Sequence, residues 1–239
     1  MSRSFFIGTA LVMAVAGGIL ALWPELDLAA SRLFWTEGEG FWLAGQGWAG
    51  TIRFVSMWPT IGIGLAAIVS LVQHIVAPAS RQFMAARTAL FLSLTVLLGP
   101  VLLVNGLFKE HWDRARPVHV SEFGGAWRFT PWWRPGDGTE CRTNCSFISG
   151  EASGAAWLVA PALLAPSPVR PAVLAAAGVY IAAISVMRIA FGGHFLSDTL
   201  LAICATLAII LWTYRWLVRP PDAPSEIAVD DKLARLGRP

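Results

Sequence analysis

The 239-residue chain is short of charge, and of lysine above all. Only two lysines, Lys109 and Lys232, stand among its 18 basic residues. Charged residues make up 14% of the sequence, where a soluble domain of this size carries about a quarter. The formal net charge is only +3 and no basic block interleaves with aromatics, so nothing points to a nucleic-acid partner. No repeat of fixed period occurs, which gives no sign of a repeat array. Cysteine is scarce too, at three residues.

What the chain does have is apolar length. Hydrophobic residues reach 56%, the mean hydropathy is +0.60, and the apolar residues gather into runs. A helix crosses the hydrocarbon with about 20 mostly apolar residues. Six runs qualify, near 5–23, 54–76, 88–108, 152–166, 171–190 and 195–218. The fourth is short and ends at "APSPVRP", which suits a tight helical hairpin with the fifth. The first lacks a small-residue cleavage site before "PELD" and reads as an anchor rather than a removed leader. The expectation is one all-α membrane domain, residues 1–219, and a flexible, Pro-rich cytoplasmic tail, 220–239. No oligomeric state can be read from the sequence.

Basic residues favour the cytoplasmic ends of short loops. With both termini inside, nine basic residues fall on each side, but six of the outer nine sit in the long loop 109–151, where they have another use. That arrangement leaves the loop on the outer face. It carries Cys141 and Cys145, separated by "RTN". An oxidising outer face suits a disulfide tethering the approach to Ser146, and two free thiols remain the alternative. Metal binding is a poorer reading, because no further Cys or His pair is spaced to complete a four-ligand site.

Three clusters carry chemistry, and all fall on that predicted face. In "KEHWDRARP", Lys109 and Arg116 are seven residues apart, about two helical turns, so both can point one way. Lysine offers a compact charge and arginine a planar fork for phosphate oxygens; a membrane-flanking basic stretch is the plainer alternative. In "NCSFISGEASGAA", Ser149 and Gly150 lie at the start of an apolar helix whose unpaired N–H groups favour anions, although taken alone the segment is better explained by ordinary capping, with Ser149 as the cap and Glu151 in the first turn. In "SVMRIAFGGHFLSD", Arg188 ends one span, and His194 and Asp198 share a helix face four residues apart. A carboxylate beside an imidazole fixes its tautomer and stabilises the charge it develops as a nucleophile. Together the clusters bring three cations, a helix N-terminus and a buttressed histidine to one place.

On these residues the sequence resembles the membrane-bound type 2 phosphatidic acid phosphatase (PAP2) superfamily, which shares its core with vanadium haloperoxidases. The family signature is K-x6-RP, P-S-G-H and S-R-x5-H-x3-D. Lys109 with Arg116-Pro117 matches the first part. Arg188, His194 and Asp198 match the third, with Met187 where the family usually has Ser. The middle part reads "ISGE", so Ser149 and Gly150 match while Ile148 and Glu151 depart. The resemblance implies a six-transmembrane-helix bundle with an extracytoplasmic active-site loop. It implies phosphate binding by Lys109, Arg116, Arg188, Ser149 and Gly150, and a phosphohistidine on His194, whose ring Asp198 orients. No metal or other cofactor is implied, since cations and N–H groups neutralise the transferring group.

Glu151 stands where the family's histidine protonates the leaving alkoxide. Three readings remain open: Glu151 is that acid, the substrate's leaving group needs little help, or His111 or His119 supplies the proton while Glu151 caps its helix. The expected substrate is a membrane lipid phosphate at the outer leaflet of a bacterial inner membrane. Candidates are lipid A, undecaprenyl pyrophosphate, phosphatidylglycerol phosphate and phosphatidic acid. Trp127, Trp132, Trp133, Arg128 and Arg134 in the outer loop suit either contact with a polyanionic glycolipid or an interfacial belt. Phosphotransfer to a lipid hydroxyl and a catalytically silent lipid-binding or transport protein are the alternative functions.

Overall fold

The computed structural model describes residues 3–136, 138–141, 143–218 and 226–236. Helix α1 (Arg3–Leu22) is apolar on every side, and Ile7, Leu11, Val12 and Val15 all face outward, which is tolerable only in lipid. Pro24 lacks an N–H to continue it, and the chain turns by 86° into α2 (Glu25–Arg32). A two-residue hairpin follows, β1 (Trp35–Thr36) against β2 (Gly40–Phe41). Helices α3 (Gly47–Ser56) and α4 (Trp58–Val76) together form one 30-residue apolar span.

Helix α5 (Ala86–Val96) continues through a π-helical stretch, Leu97–Phe108, into the single turn α6 (Lys109–His111). Pro100 sits inside that stretch, and a wide turn is one way to accommodate a residue without an N–H. The Pro100 carbonyl is met instead by the side-chain amide of Asn105 at 2.6 Å. After the outer loop come α7 (Gly150–Trp157), α8 (Val159–Leu163), α9 (Arg170–Ala190) and α10 (Leu196–Thr213), the last prolonged by π turns over Tyr214–Val218.

Four of the expected crossings are long, apolar helices: Gly47–Val76, Ala86–Phe108, Arg170–Ala190 and Leu196–Val218. The bent pair α1–α2 makes a fifth candidate. The run 152–166 differs from expectation. It is broken at Leu158, because Pro161 cannot donate to the carbonyl of Trp157 one turn earlier, and neither half has the length of a crossing. Instead α7 is an interior helix packed among α4, α5, α9, α10 and the π-helical stretch. Its Ala152, Ser153, Ala155, Ala156 and Trp157 are buried.

Small residues let these backbones approach, and hydroxyls tie them together. Ser153 and Thr206 share a hydrogen bond at 2.7 Å, Thr60 donates to the Gly154 carbonyl at 2.7 Å, and the Trp157 indole donates to Thr95 at 2.9 Å. Trp157 also anchors the main apolar cluster, with Phe91, Leu92, Val96, Ile210 and Tyr214. A second cluster of Phe41, Ala115, Val120, Phe123 and Phe195 joins the hairpin to the outer loop and forms the roof beside the site.

The expected flexible tail is also corrected in part. Within it, α11 (Glu226–Leu236) packs against α4 and α5 with Leu233 buried, and Asp230 lies 2.6 Å from Nδ1 of His74. The rest of 220–239 lies outside the described residues.

Candidate active site

The site is built outward from Asp198 in the first turn of α10. One oxygen accepts the Phe195 N–H at 2.8 Å, closing the helix start as a third-position acid does, and the Ser146 hydroxyl at 2.5 Å. The other accepts from Arg114 at 2.5 Å. Arg114 also donates to Asp27 at 2.7 Å, to Ser197 at 2.8 Å and to the Thr130 carbonyl at 2.9 Å, while its guanidinium lies over the Phe195 ring at 4.5 Å. Asp27 in turn takes the Ser197 N–H and hydroxyl at 2.7 and 2.6 Å. Asp27, Arg114, Ser197 and Asp198 are at most 1% exposed, so the ions depend wholly on one another.

His194 rests against this network and is 1% exposed. Its Nδ1 is 2.7 Å from the Ser146 carbonyl and 3.8 Å from the Asp198 carboxylate. A carbonyl only accepts, so Nδ1 carries the proton and Nε2 keeps its lone pair. Orientation of the ring is thus shared: Ser146 makes the hydrogen bond, and Asp198 stands behind it. Burial holds the imidazole pKa down at about 4, with Arg188 and Arg116 adding to the shift against the pull of Asp198.

Around His194 lies a cavity of about 310 Å³. Lys109, Arg116, Arg188, Gly150, Glu151 and His194 all line it, although they come from widely separated parts of the chain. Arg188 approaches closely because residue 193 is glycine: a Cβ there would lie 2.3 Å from its guanidinium. A Cβ added at Gly150 would lie 3.4 Å from the Lys109 ammonium, so the lysine lies over the start of α7. Burial, then the charge of Arg116, lowers the Lys109 pKa.

Asn144 bridges Lys109 and Arg116. Its side-chain oxygen accepts from Lys109 at 3.2 Å and from Arg116 at 3.0 Å, and its carbonyl accepts from Arg116 at 2.8 Å. It adopts a left-handed φ of 52°, which asparagine tolerates better than most residues. Cys141 and Cys145 are joined by a disulfide that closes this turn.

Ser149 departs from the expected phosphate ligand. It is fully buried, caps α7 by accepting the Ala152 N–H at 3.3 Å, and does not line the cavity. His111 bonds to the Leu107 carbonyl at 2.9 Å and His119 packs on Trp127, and neither lines the cavity. Trp132 and Trp127 are packing residues of the outer loop, Trp132 stacked on Phe147 and Trp127 in the second cluster, while Trp133 remains exposed.

Glu151 has a partner that the sequence reading missed. Arg53 of α3 donates from Nε and Nη2 to one carboxylate oxygen at 2.9 and 2.8 Å. The other oxygen faces Nε of Arg188 at 3.3 Å, without hydrogen-bond geometry. Burial alone would raise the Glu151 pKa, but the Arg53 hydrogen bonds and the Arg188 and Arg53 charges bring it below the usual value. Glu151 is therefore held as a carboxylate.

A helical membrane bundle whose cation-lined cavity ends on a neutral histidine defines a phosphate-binding class of site. The comparison with known families agrees: the PAP2 superfamily model matches residues 88–221, and the chain belongs to that superfamily. A Rhizobium leguminosarum protein named lipid A 4'-phosphatase is 45% identical over 120 residues, 48% of each chain. A protein of the same name from Rhizobium etli is 44% identical over 119 residues, so the matches span about half the length of these relatives or slightly less. A third, from Francisella tularensis subsp. novicida, is 28% identical over 220 residues, covering 91% of this chain and 96% of that protein. No solved structure matches the chain.

Proposed function

We propose that this protein is a membrane lipid phosphatase that works through a phosphohistidine on His194. The observation that carries this reading is the shared cavity: His194, with Nε2 free, lines it together with Lys109, Arg116 and Arg188. Nε2 attacks phosphorus, the phosphate-ester P–O bond breaks, and the leaving oxygen departs as an alkoxide that takes its proton from water. Water then attacks phosphorus, breaks the P–N bond and releases phosphate. The three cations and the N–H groups at the start of α7 neutralise the oxygens of the transferring group. Asp198 stabilises the imidazolium that develops, and Arg114 and Asp27 hold Asp198 in place.

The relatives' names favour a lipid A-type substrate, a sugar phosphate carried on acyl chains. The cavity lining agrees in kind, since Met57, Ile61 and Ile184 give it an apolar side next to the cations. We place the site at the outer leaflet of the bacterial inner membrane. The chain crosses six times in this arrangement, with the kinked run 152–166 as a short fourth passage enclosed by the other helices and both termini in the cytoplasm.

Phosphate release from purified lipids, with acid-labile labelling of the protein, tests the reading. Wild type is expected to release phosphate and to trap a phosphohistidine, and His194→Ala to do neither. Activity surviving His194→Ala would overturn the nucleophile.

A further inference from the structure

Four cations line the cavity, and one of them lies outside the residues that match the family model. Arg53 belongs to α3, upstream of residues 88–221. Glu151 links it to Arg188: one carboxylate oxygen takes both Arg53 hydrogen bonds, and the other faces Arg188. The guanidinium of Arg53 is therefore one carboxylate away from a guanidinium that faces the same cavity.

Depth separates the two. Arg188 is 2% exposed and His194 1%, whereas the Arg53 side chain is 42% exposed. His194 is at the floor, and Arg53 is at the rim. In-line displacement places the entering nitrogen and the leaving oxygen on opposite sides of phosphorus. With the nucleophile at the floor, the leaving oxygen points toward the rim. Glu151 occupies only the Nε and Nη2 edge of Arg53, so the Nη1 edge is left for another acceptor.

We propose that Arg53 is a substrate-contacting residue, a guanidinium that Glu151 holds against the leaving-group side of the bound phosphate ester. A guanidinium offers fixed positive charge and forked N–H donors, and at this position it stabilises the negative charge gathering on the leaving oxygen. Glu151 acts as its positioning residue. This rests on the phosphatase reading above and assigns a further residue to the same site.

The alternative for Arg53 is neutralisation of Glu151 and nothing more, and a double-mutant cycle separates the two. Full-length wild type, Arg53→Met, Glu151→Gln and the double variant are assayed on bisphosphorylated lipid A in detergent micelles. Arg53→Met is expected to lower kcat about tenfold or more, with a smaller change in KM, and Arg53→Lys to recover part of the loss. The loss from Arg53→Met is expected to persist on the Glu151→Gln background. If the double variant equals Glu151→Gln alone, Arg53 acts only through Glu151 and the proposal fails. It fails equally if Arg53→Met matches wild type.

Orthovanadate binding by calorimetry gives the same cycle without turnover, because its outer apical oxygen stands in for the leaving oxygen. Weaker vanadate binding by Arg53→Met on both backgrounds supports the contact, and unchanged binding overturns it. A wild type that binds vanadate in this pattern but releases no phosphate from any lipid would leave the contact standing and defeat the phosphatase reading.

Discussion

The two sides of the cavity are built on opposite plans. Behind His194, Asp27, Arg114, Ser197 and Asp198 are sealed from solvent, and the three ions meet one another's charges at 2.5 and 2.7 Å. Facing the cavity, Lys109 and Arg116 share one asparagine, Glu151 is divided between two arginines, and the Nε of Arg188 has no hydrogen-bond partner among the described residues. The first plan fixes the orientation of a ring. The second leaves cations lining a cavity, two of them sharing one acceptor and one with an unmade hydrogen bond. A nucleophile needs constancy, whereas groups that must take up and release a dianion need replaceable contacts.

The sharpest way to break the comparison is to open the sealed side. Arg114→Met removes the one cation between two buried carboxylates, and stranding a buried charge costs about 3–5 kcal/mol. Thermal unfolding in detergent should show a large drop in Tm, with Arg114→Lys intermediate because it keeps the charge but loses the fork. A comparable drop from Arg116→Met, at the rim, would erase the distinction between the two sides.

The sealed side also sets the protonation of His194. With a folded pKa of about 4 against an ordinary 6.5, the unfolded chain carries a proton in that interval that the native site refuses. Stability contributed by this group is therefore complete above the ordinary value and falls as pH drops from 6.5 toward 4. Ring-nitrogen NMR should find His194 neutral at pH 5.5 with the proton on Nδ1, and a titration midpoint near the ordinary value would contradict the buried, neutral ring on which the proposed nucleophile rests.

The same division explains what was legible in the sequence. Lys109, Arg116, Arg188, His194 and Asp198 announce themselves by spacing, but the two helical turns expected between Lys109 and Arg116 are absent: the helix ends at His111, Arg116 is extended, and Asn144 bridges the two side chains. Four of the crossings were equally legible from apolar length. Arg114 and Asp27 were not, since 87 residues separate them and only the fold pairs them. Arg53 escaped for the same reason, 98 residues from Glu151. The break of the fourth run at Leu158 did have a signal, Pro161, but apolar composition outweighed it. The cap role of Ser149 was also readable as an alternative, and its side chain does accept the Ala152 N–H.

At the rim, Glu151→Gln sharpens the contrast with a smaller effect. A carboxylate serves to place Arg53, and glutamine keeps one oxygen acceptor for it, so the substitution should reduce activity only about threefold, about 0.65 kcal/mol in the barrier, and leave most of the Arg53→Met loss visible on that background. A general acid would behave differently, because its deprotonation makes the rate fall at high pH. The expected outcome is a lower rate with the basic limb of the kcat profile unchanged. Disappearance of that limb in Glu151→Gln would restore the general-acid reading.

The smallest expected effect concerns the turn that carries Asn144. The disulfide closes the chain from Cys141 to Cys145 directly around that residue, and Asn144 is the only bridge between Lys109 and Arg116 among the described contacts. Two cations brought close by a neutral acceptor are poised for an anion, so loosening the turn should cost affinity while sparing the chemical step. Asn144→Ala is expected to raise KM about two- to threefold, the scale of one net hydrogen bond, with kcat nearly constant. Mild reduction of the disulfide should move KM in the same direction and add little to the Asn144→Ala protein, since both act through one turn. Additive losses would mean that the disulfide supports the site by another route, and a change confined to kcat would move Asn144 from the replaceable rim to the fixed side of the cavity.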